Sequence, residues 1–278
     1  MPSTDARGPS AAYARSVHRA LPSLLLAALA SLCAPGGAAG AVTSRGDLRV
    51  TEGVRLSDLQ FRTFVKDGDL RVELLLVGRA TGSDRSLVLS AAPCRGTRTC
   101  RTESSRVVRF RRRPRAIVGW RPSFGGAAGI AGLRIRLAAP GRTAARATAD
   151  VTVASTAWTT GTIRSSLFVR EDAGVPVDAV HMVVTAAAGG GSTVSGFFTV
   201  RSTRAFDVRT TLGRCTPIGG CPMPDVRGTA SIPQGRRATI PFGGELGPIA
   251  NAERVRFRAD GGVFPSPFVQ MILPWPPA

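Results

Sequence analysis

Along most of this chain apolar and polar residues alternate one by one. In "LRIRL", Leu133, Ile135 and Leu137 fall on one side, and Arg134 and Arg136 on the other. "RVRFR" repeats the pattern, with Val255 and Phe257 set between arginines, and "DVTVAS" puts Val151 and Val153 together. A period of two marks a strand with one buried and one wet face. "DLRVELLLVG" and "SGFFTVRST" are rich in side chains that favour strands. Turn residues lie between these runs: "KDGD" at Lys66–Asp69, "TGSD" at Thr81–Asp84, "AGGG" at Ala188–Gly191 and "IPQGRR" at Ile232–Arg237. No long stretch beyond residue 41 carries helical periodicity. Short strands at regular spacing predict an all-β chain of antiparallel β-sandwich type.

The pattern occurs twice. "CRGTRTC" (Cys94 to Cys100) returns as "CTPIGGC" (Cys215 to Cys221), displaced by 121 positions. At the same offset "GVRLSDLQF" from Gly53 lies over "GVPVDAVHM" from Gly174. At 122 positions "RAIVGW" from Arg115 lies over "RATIPF" from Arg237. One indel in a loop after the second cysteine accounts for the change. Two units of ordinary domain size are expected, residues 42–156 and 157–278, with a boundary in "TAWTTGTIRSS". Trp158 in that boundary is expected to pack between the units, because a large aromatic at a junction buries its surface.

The phrase "ASIPQGRRATIPF" resembles the strand–turn–strand segment of bacterial extracellular immunoglobulin-like domains, in which a Pro-x-Gly turn joins two strands. The likeness implies two tandem immunoglobulin-like sandwiches and no particular activity. Widely spaced cysteines around a buried Trp, usual in immunoglobulin domains, are absent. Four cysteines allow three pairings. The repeat and the short chain closure favour Cys94 with Cys100 and Cys215 with Cys221. Zinc held by four thiolates is the rival, but five intervening residues exceed the usual knuckle spacing.

Export makes disulfides the expected state. Residues 1–41 read as a secretory signal peptide: Arg7, Arg15 and Arg19, then the apolar "ALPSLLLAALASLCA", then small residues with cleavage predicted after Ala41. The apolar run is shorter than a membrane span of about 20 residues, and no second one follows, so no span is expected in the mature chain. An uncleaved anchor and a lipoprotein site at Cys33 are the lesser alternatives. The formal net charge is +19, carried by arginine with Lys66 as the one lysine. GC-rich coding produces the same skew, yet the charge still attracts anionic wall polymers, lipid heads or nucleic acid.

Candidate chemistry is sparse. "RFRRRPR" concentrates Arg109, Arg111, Arg112, Arg113 and Arg115 at a strand end, a basic patch suited to a polyanion. Charged side chains at a sheet edge also deter aggregation. Few aromatics lie nearby, which speaks against a dedicated single-strand nucleic-acid binder. His181 is the one histidine beyond the leader, and with Asp178 it is the first suspect for an unrecognised enzyme site. No nucleophile elbow accompanies it. Asp67, Asp69 and Asp84 lie in turns and form no repeated calcium string. "RGD" at Arg45–Asp47, which integrin-type receptors read in exposed loops, is taken as coincidence. The expectation is a secreted, non-catalytic binding or structural protein without cofactor or metal, whose partner is an anionic cell-wall polymer or another polyanion. An exported enzyme or accessory subunit, and a pure spacer, are the alternatives.

Overall fold

The alternation becomes strands wherever the chain is described. The structure is a computed structural model, and it describes residues 44–275 except 52, 96–98, 155–162, 170–174, 217–220, 222–223, 249–252 and 262–266. The leader with its cleavage site, Trp158 and the expected boundary at 156/157 lie outside the described residues. Among the described residues the helical pieces are three-residue 3-10 turns at Ala127–Gly129, Ala144–Arg146 and Ala188–Gly190. No described helix is long and apolar enough to cross a membrane.

The strands run in chain order as β1 (Ser44–Arg49), β2 (Val54–Lys66), β3 (Asp69–Ala80), β4 (Arg85–Arg95), β5 (Thr99–Cys100), β6 (Ser104–Phe110), β7 (Ala116–Trp120), β8 (Ser123–Phe124), β9 (Ile130–Ala138) and β10 (Ala149–Ala154). The second half supplies β11 (Ile163–Val169), β12 (Val177–Ala186), β13 (Ser192–Arg201), β14 (Phe206–Cys215), β15 (Val226–Ile232), β16 (Arg237–Leu246), β17 (Arg254–Gly261) and β18 (Val269–Pro274). They form two antiparallel sheets. The first has the order β16-β13-β12-β1-β10-β9-β4-β5, with β6 also on β4. The second has the order β15-β14-β17-β18-β11-β2-β3-β7, with β8 also on β3.

Both sheets draw strands from both halves. In the first sheet β1 pairs with β12 from Ser44↔Val184 to Arg49↔Ala179. In the second β11 pairs with β2 from Ile163↔Thr63 to Phe168↔Asp58. The first half thus gives β1, β10, β9, β4, β5 and β6 to one sheet and β2, β3, β7 and β8 to the other. The second half gives β11, β18, β17, β14 and β15 against β12, β13 and β16, so the sheets exchange roles between halves. The two units expected in tandem are therefore not separate beads. Residues 40–278 make one compact unit, because each half leaves unpaired strand edges that the other half fills.

Local chemistry sets the connections. Asp67 and Gly68 both take positive φ, 56° and 80°, at the tip of the β2–β3 hairpin. That is the two-residue turn whose twist matches its strands, and it needs a glycine or an Asn/Asp-type residue at each place. The Pro-x-Gly turn of "IPQGRR" does join two strands, but β15 lies in the second sheet and β16 in the first. The turn carries the chain from one layer to the other. Between β6 and β7 the arginine run makes the same crossing in the opposite sense.

The layers meet face to face. Leu133, Ile135, Leu137, Val255, Phe257 and Ala259 are fully buried, as their alternation requires. Phe198 of β13 and Phe242 of β16 face Phe257 of β17 across the layers, with ring centroids 5.8 and 3.5 Å away. Fully burying one such side chain stabilises the fold by roughly 1.5–3 kcal/mol. Cys94–Cys100 and Cys215–Cys221 are both disulfides, the local pairing expected. The first joins directly opposed residues of β4 and β5.

Candidate functional site

The arginine run sits at one lateral edge of the molecule. Val108 and Phe110 of β6 are buried and anchor the strand, which turns the alternating Arg109 outward. Arg111 accepts a bond from the Ala80 amide through its carbonyl at 2.9 Å, which pins the crossing to β3. Arg109, Arg111, Arg112, Arg113 and Arg115 are all exposed. Among the described residues the first four form no side-chain ion pair or hydrogen bond. The structure thus places the five predicted arginines at one edge, and among the described residues Arg109, Arg111, Arg112 and Arg113 have no carboxylate partner. Val107 and Ile117 on the flanking strands are also exposed, at 68% and 73%.

A cleft of about 960 Å³ opens on the outer face of the second sheet, beside this edge. Its floor is one row of the register: Gln60 lies opposite Leu75, and Leu75 opposite Gly119. Across β11, Ile272 of β18 continues the row. The neighbouring row carries charge, since Arg62 faces Glu73 and pairs with it. Arg121 reaches the same carboxylate at 3.7 Å while remaining 81% exposed. Arg254 borders the far end. Arg106 crosses from β6 and donates through Nη1 to the Gly119 carbonyl oxygen at 3.0 Å, closing the end nearest the arginine turn. Trp120 borders the cleft but packs on the core. Sequence reasoning passed over these residues. Their one signal was the recurrence of arginine at outward or strand-end positions, and nothing local tied Arg62, Arg121 and Arg254 together.

On the outer face of the first sheet two carboxylates are paired with basic side chains. Asp150 is fully buried and accepts from Arg134 Nε at 2.8 Å and Nη2 at 2.5 Å. The exchange raises the Arg134 pKa above its ordinary value, chiefly through that hydrogen bond. Asp47 lies opposite His181 across β1 and β12, and His181 Nδ1 donates to Asp47 Oδ1 at 2.6 Å. Arg45 and Arg49 approach the same carboxylate at 3.4 and 3.6 Å. Burial pushes the Asp47 pKa up, but the His181 hydrogen bond and the charges of His181, Arg45 and Arg49 outweigh it and hold the pKa below the ordinary value. Phe197 stacks on the imidazole at 5.3 Å.

One sequence expectation changes here. Asp178 is not the partner of His181. It lies at an irregularity in β12 and faces Arg237 at 3.2 Å and Arg201 at 3.8 Å. Asp47, from the "RGD" triplet, takes that place. The triplet itself lies within a strand interior to the sheet, with Asp47 only 8% exposed, so it is not an exposed recognition loop. Asp69 pairs with Arg71 and accepts from Ser123, as a turn residue. Among the described residues no three His, Cys, Asp or Glu side chains converge as metal ligands.

No family model matches the chain, and no curated protein does. Among solved structures, one titled pT26-6p is similar over 80% of this chain at 7% identity, with a TM-score of 0.22. The chain spans 65% of that protein's length. A likeness this slight carries no argument about fold or function.

Proposed function

We propose that this protein is an exported, non-catalytic binding module that holds an anionic polymer against its arginine-rich edge. Each half is read as an immunoglobulin-like sandwich, and the two are copies of one unit fused side by side. Supporting export, two disulfides suit an oxidising compartment such as the cell surface. The observation that carries the binding role is the end of β6 and the β6–β7 crossing, where Arg109, Arg111, Arg112 and Arg113 are exposed and, among the described residues, without carboxylate partners. Guanidinium groups in that state form charge-assisted, often bidentate bonds to carboxylate, sulfate or phosphate.

The test is a titration of the protein with heparin and with teichoic acid at rising salt. Binding should weaken steeply as the screening length falls from about 10 Å at 0.1 M towards about 3 Å at 1 M. Replacing Arg109, Arg111, Arg112 and Arg113 by serine should remove it. Salt-insensitive binding, or none, ends the electrostatic reading.

The Asp47–His181 pair supports a second reading, an exported enzyme with His181 as a base oriented by Asp47. Loss of an activity in His181→Ala, with the fold intact, would favour it over the binding module.

A further inference from the structure

On the outer faces of both sheets arginines outnumber the carboxylates beside them. On the first sheet Asp47 and Asp150 absorb Arg45, Arg49 and Arg134. Among the residues lining the cleft on the second sheet Glu73 is the one carboxylate against Arg62 and Arg121, with Arg254 and Arg106 at the two ends and Asp58 beside Gln60 at its border. A surplus of cations therefore lines one wall of a concave groove. The groove runs across the strands, because its floor residues are register partners from β18 to β7. At about 4.8 Å per strand those four intervals span roughly 19 Å. That length suits an extended chain rather than a compact small molecule.

The floor narrows the chemistry. Gly119 presents bare backbone, Leu75 and Ile272 present aliphatic surface, and Leu75 is 39% exposed. Gln60 donates its amide to Asp58 Oδ2 at 2.6 Å, so its carbonyl oxygen remains as an acceptor for a hydroxyl. An aliphatic floor and one hydroxyl acceptor between cations match sugar rings that carry acidic groups. Nucleobases would need open aromatic faces for stacking, and Trp120 is packed on the core instead. We infer that this cleft binds a linear acidic polysaccharide, a carboxylate-bearing sugar chain laid across β18, β11, β2, β3 and β7. The inference rests on the polyanion-binding reading above and extends it from the arginine turn, through Arg106, onto the sheet face.

The experiment titrates the full protein with polygalacturonate, carboxyl-reduced polygalacturonate and oligo-dT. Arg121→Ala alters a side chain that is 81% exposed, so folding should survive, and an unchanged Tm checks this. Losing one charge-assisted contact should weaken polygalacturonate binding about tenfold. Arg121→Lys should restore part of the loss, Arg121→Glu should deepen it, and the carboxyl-reduced polymer should fail to bind. Polygalacturonate binding that disappears in the serine variant of the arginine turn but stays within about twofold in Arg121→Ala and Arg121→Glu overturns the cleft and leaves the turn standing. Tighter binding of oligo-dT than of polygalacturonate overturns the carbohydrate assignment. No binding of any polyanion removes the parent reading and this one together.

Discussion

Removing one ring in the second half should loosen the first. Phe257 on β17 is fully buried, stacks on Phe242 at 3.5 Å and lies 5.8 Å from Phe198. Phe257→Ala deletes the ring that joins the two layers there, at a cost of about 4 kcal/mol. For a unit of this size that lowers Tm by about 8–16 °C. The informative question is which amides feel it. If β1–β12 and β11–β2 bind the halves into one cooperative unit, the slowest-exchanging amides of β3 and β9 must open with those of β17. Hydrogen exchange followed by mass spectrometry should show both sets accelerated by about a thousandfold, the equivalent of that free energy. Calorimetry should show one transition that moves as a whole. Two resolved transitions, or β3 and β9 amides that keep their protection while β17 loses it, would refute the fused architecture.

Three further outcomes follow from named contacts. The folded-state pKa of Asp47 is depressed, so its contribution is complete above the unfolded value of about 3.9 and is lost as pH falls through the folded value. Asp47→Asn should therefore be less stable than the parent at neutral pH, and the gap in Tm should close on acidification below about pH 4. Asp150→Ala leaves Arg134 without its buried acceptor; denaturant unfolding should show a loss of about 2–3 kcal/mol, below the roughly 3–5 of a sealed pair because Arg134 still reaches water. Replacing Cys94 and Cys100 together by serine should cost about 2 kcal/mol, the chain entropy of a seven-residue loop, with an unchanged fold by circular dichroism.

Strand content, the inward set Leu133, Ile135, Leu137, Val255 and Phe257, the tip at Asp67–Gly68 and both disulfides were legible in the sequence, because each depends on residues close in the chain. Exposure of the arginine run was legible for the same reason. Sheet membership was not. A period of two says which face of a strand is buried but not which strand lies beside it, so nothing in "SRGDLRV" announced that β1 would pair with β12. The choice of Asp178 beside His181 failed on that point: neighbours in sequence point elsewhere, while a register partner from another part of the chain faces the ring. The cleft was hidden likewise, since Gln60, Leu75, Gly119 and Ile272 become one row only once five strands are placed in order.

Pairing of β1 with β12 and of β11 with β2 carries both sheets from one half to the other, so among the described residues no hinge separates the halves. Twin modules on a flexible tether can close on a ligand like tongs, and they lose freedom each time they do. Here the angle between the halves is set once, at folding, by backbone bonds in two layers. An anionic polymer bound as proposed to residues 40–278 would meet a template whose charges already stand at fixed intervals. Ordering costs on association are thereby reduced, and the same stiffness denies the surface any means of adjusting to a partner of different pitch.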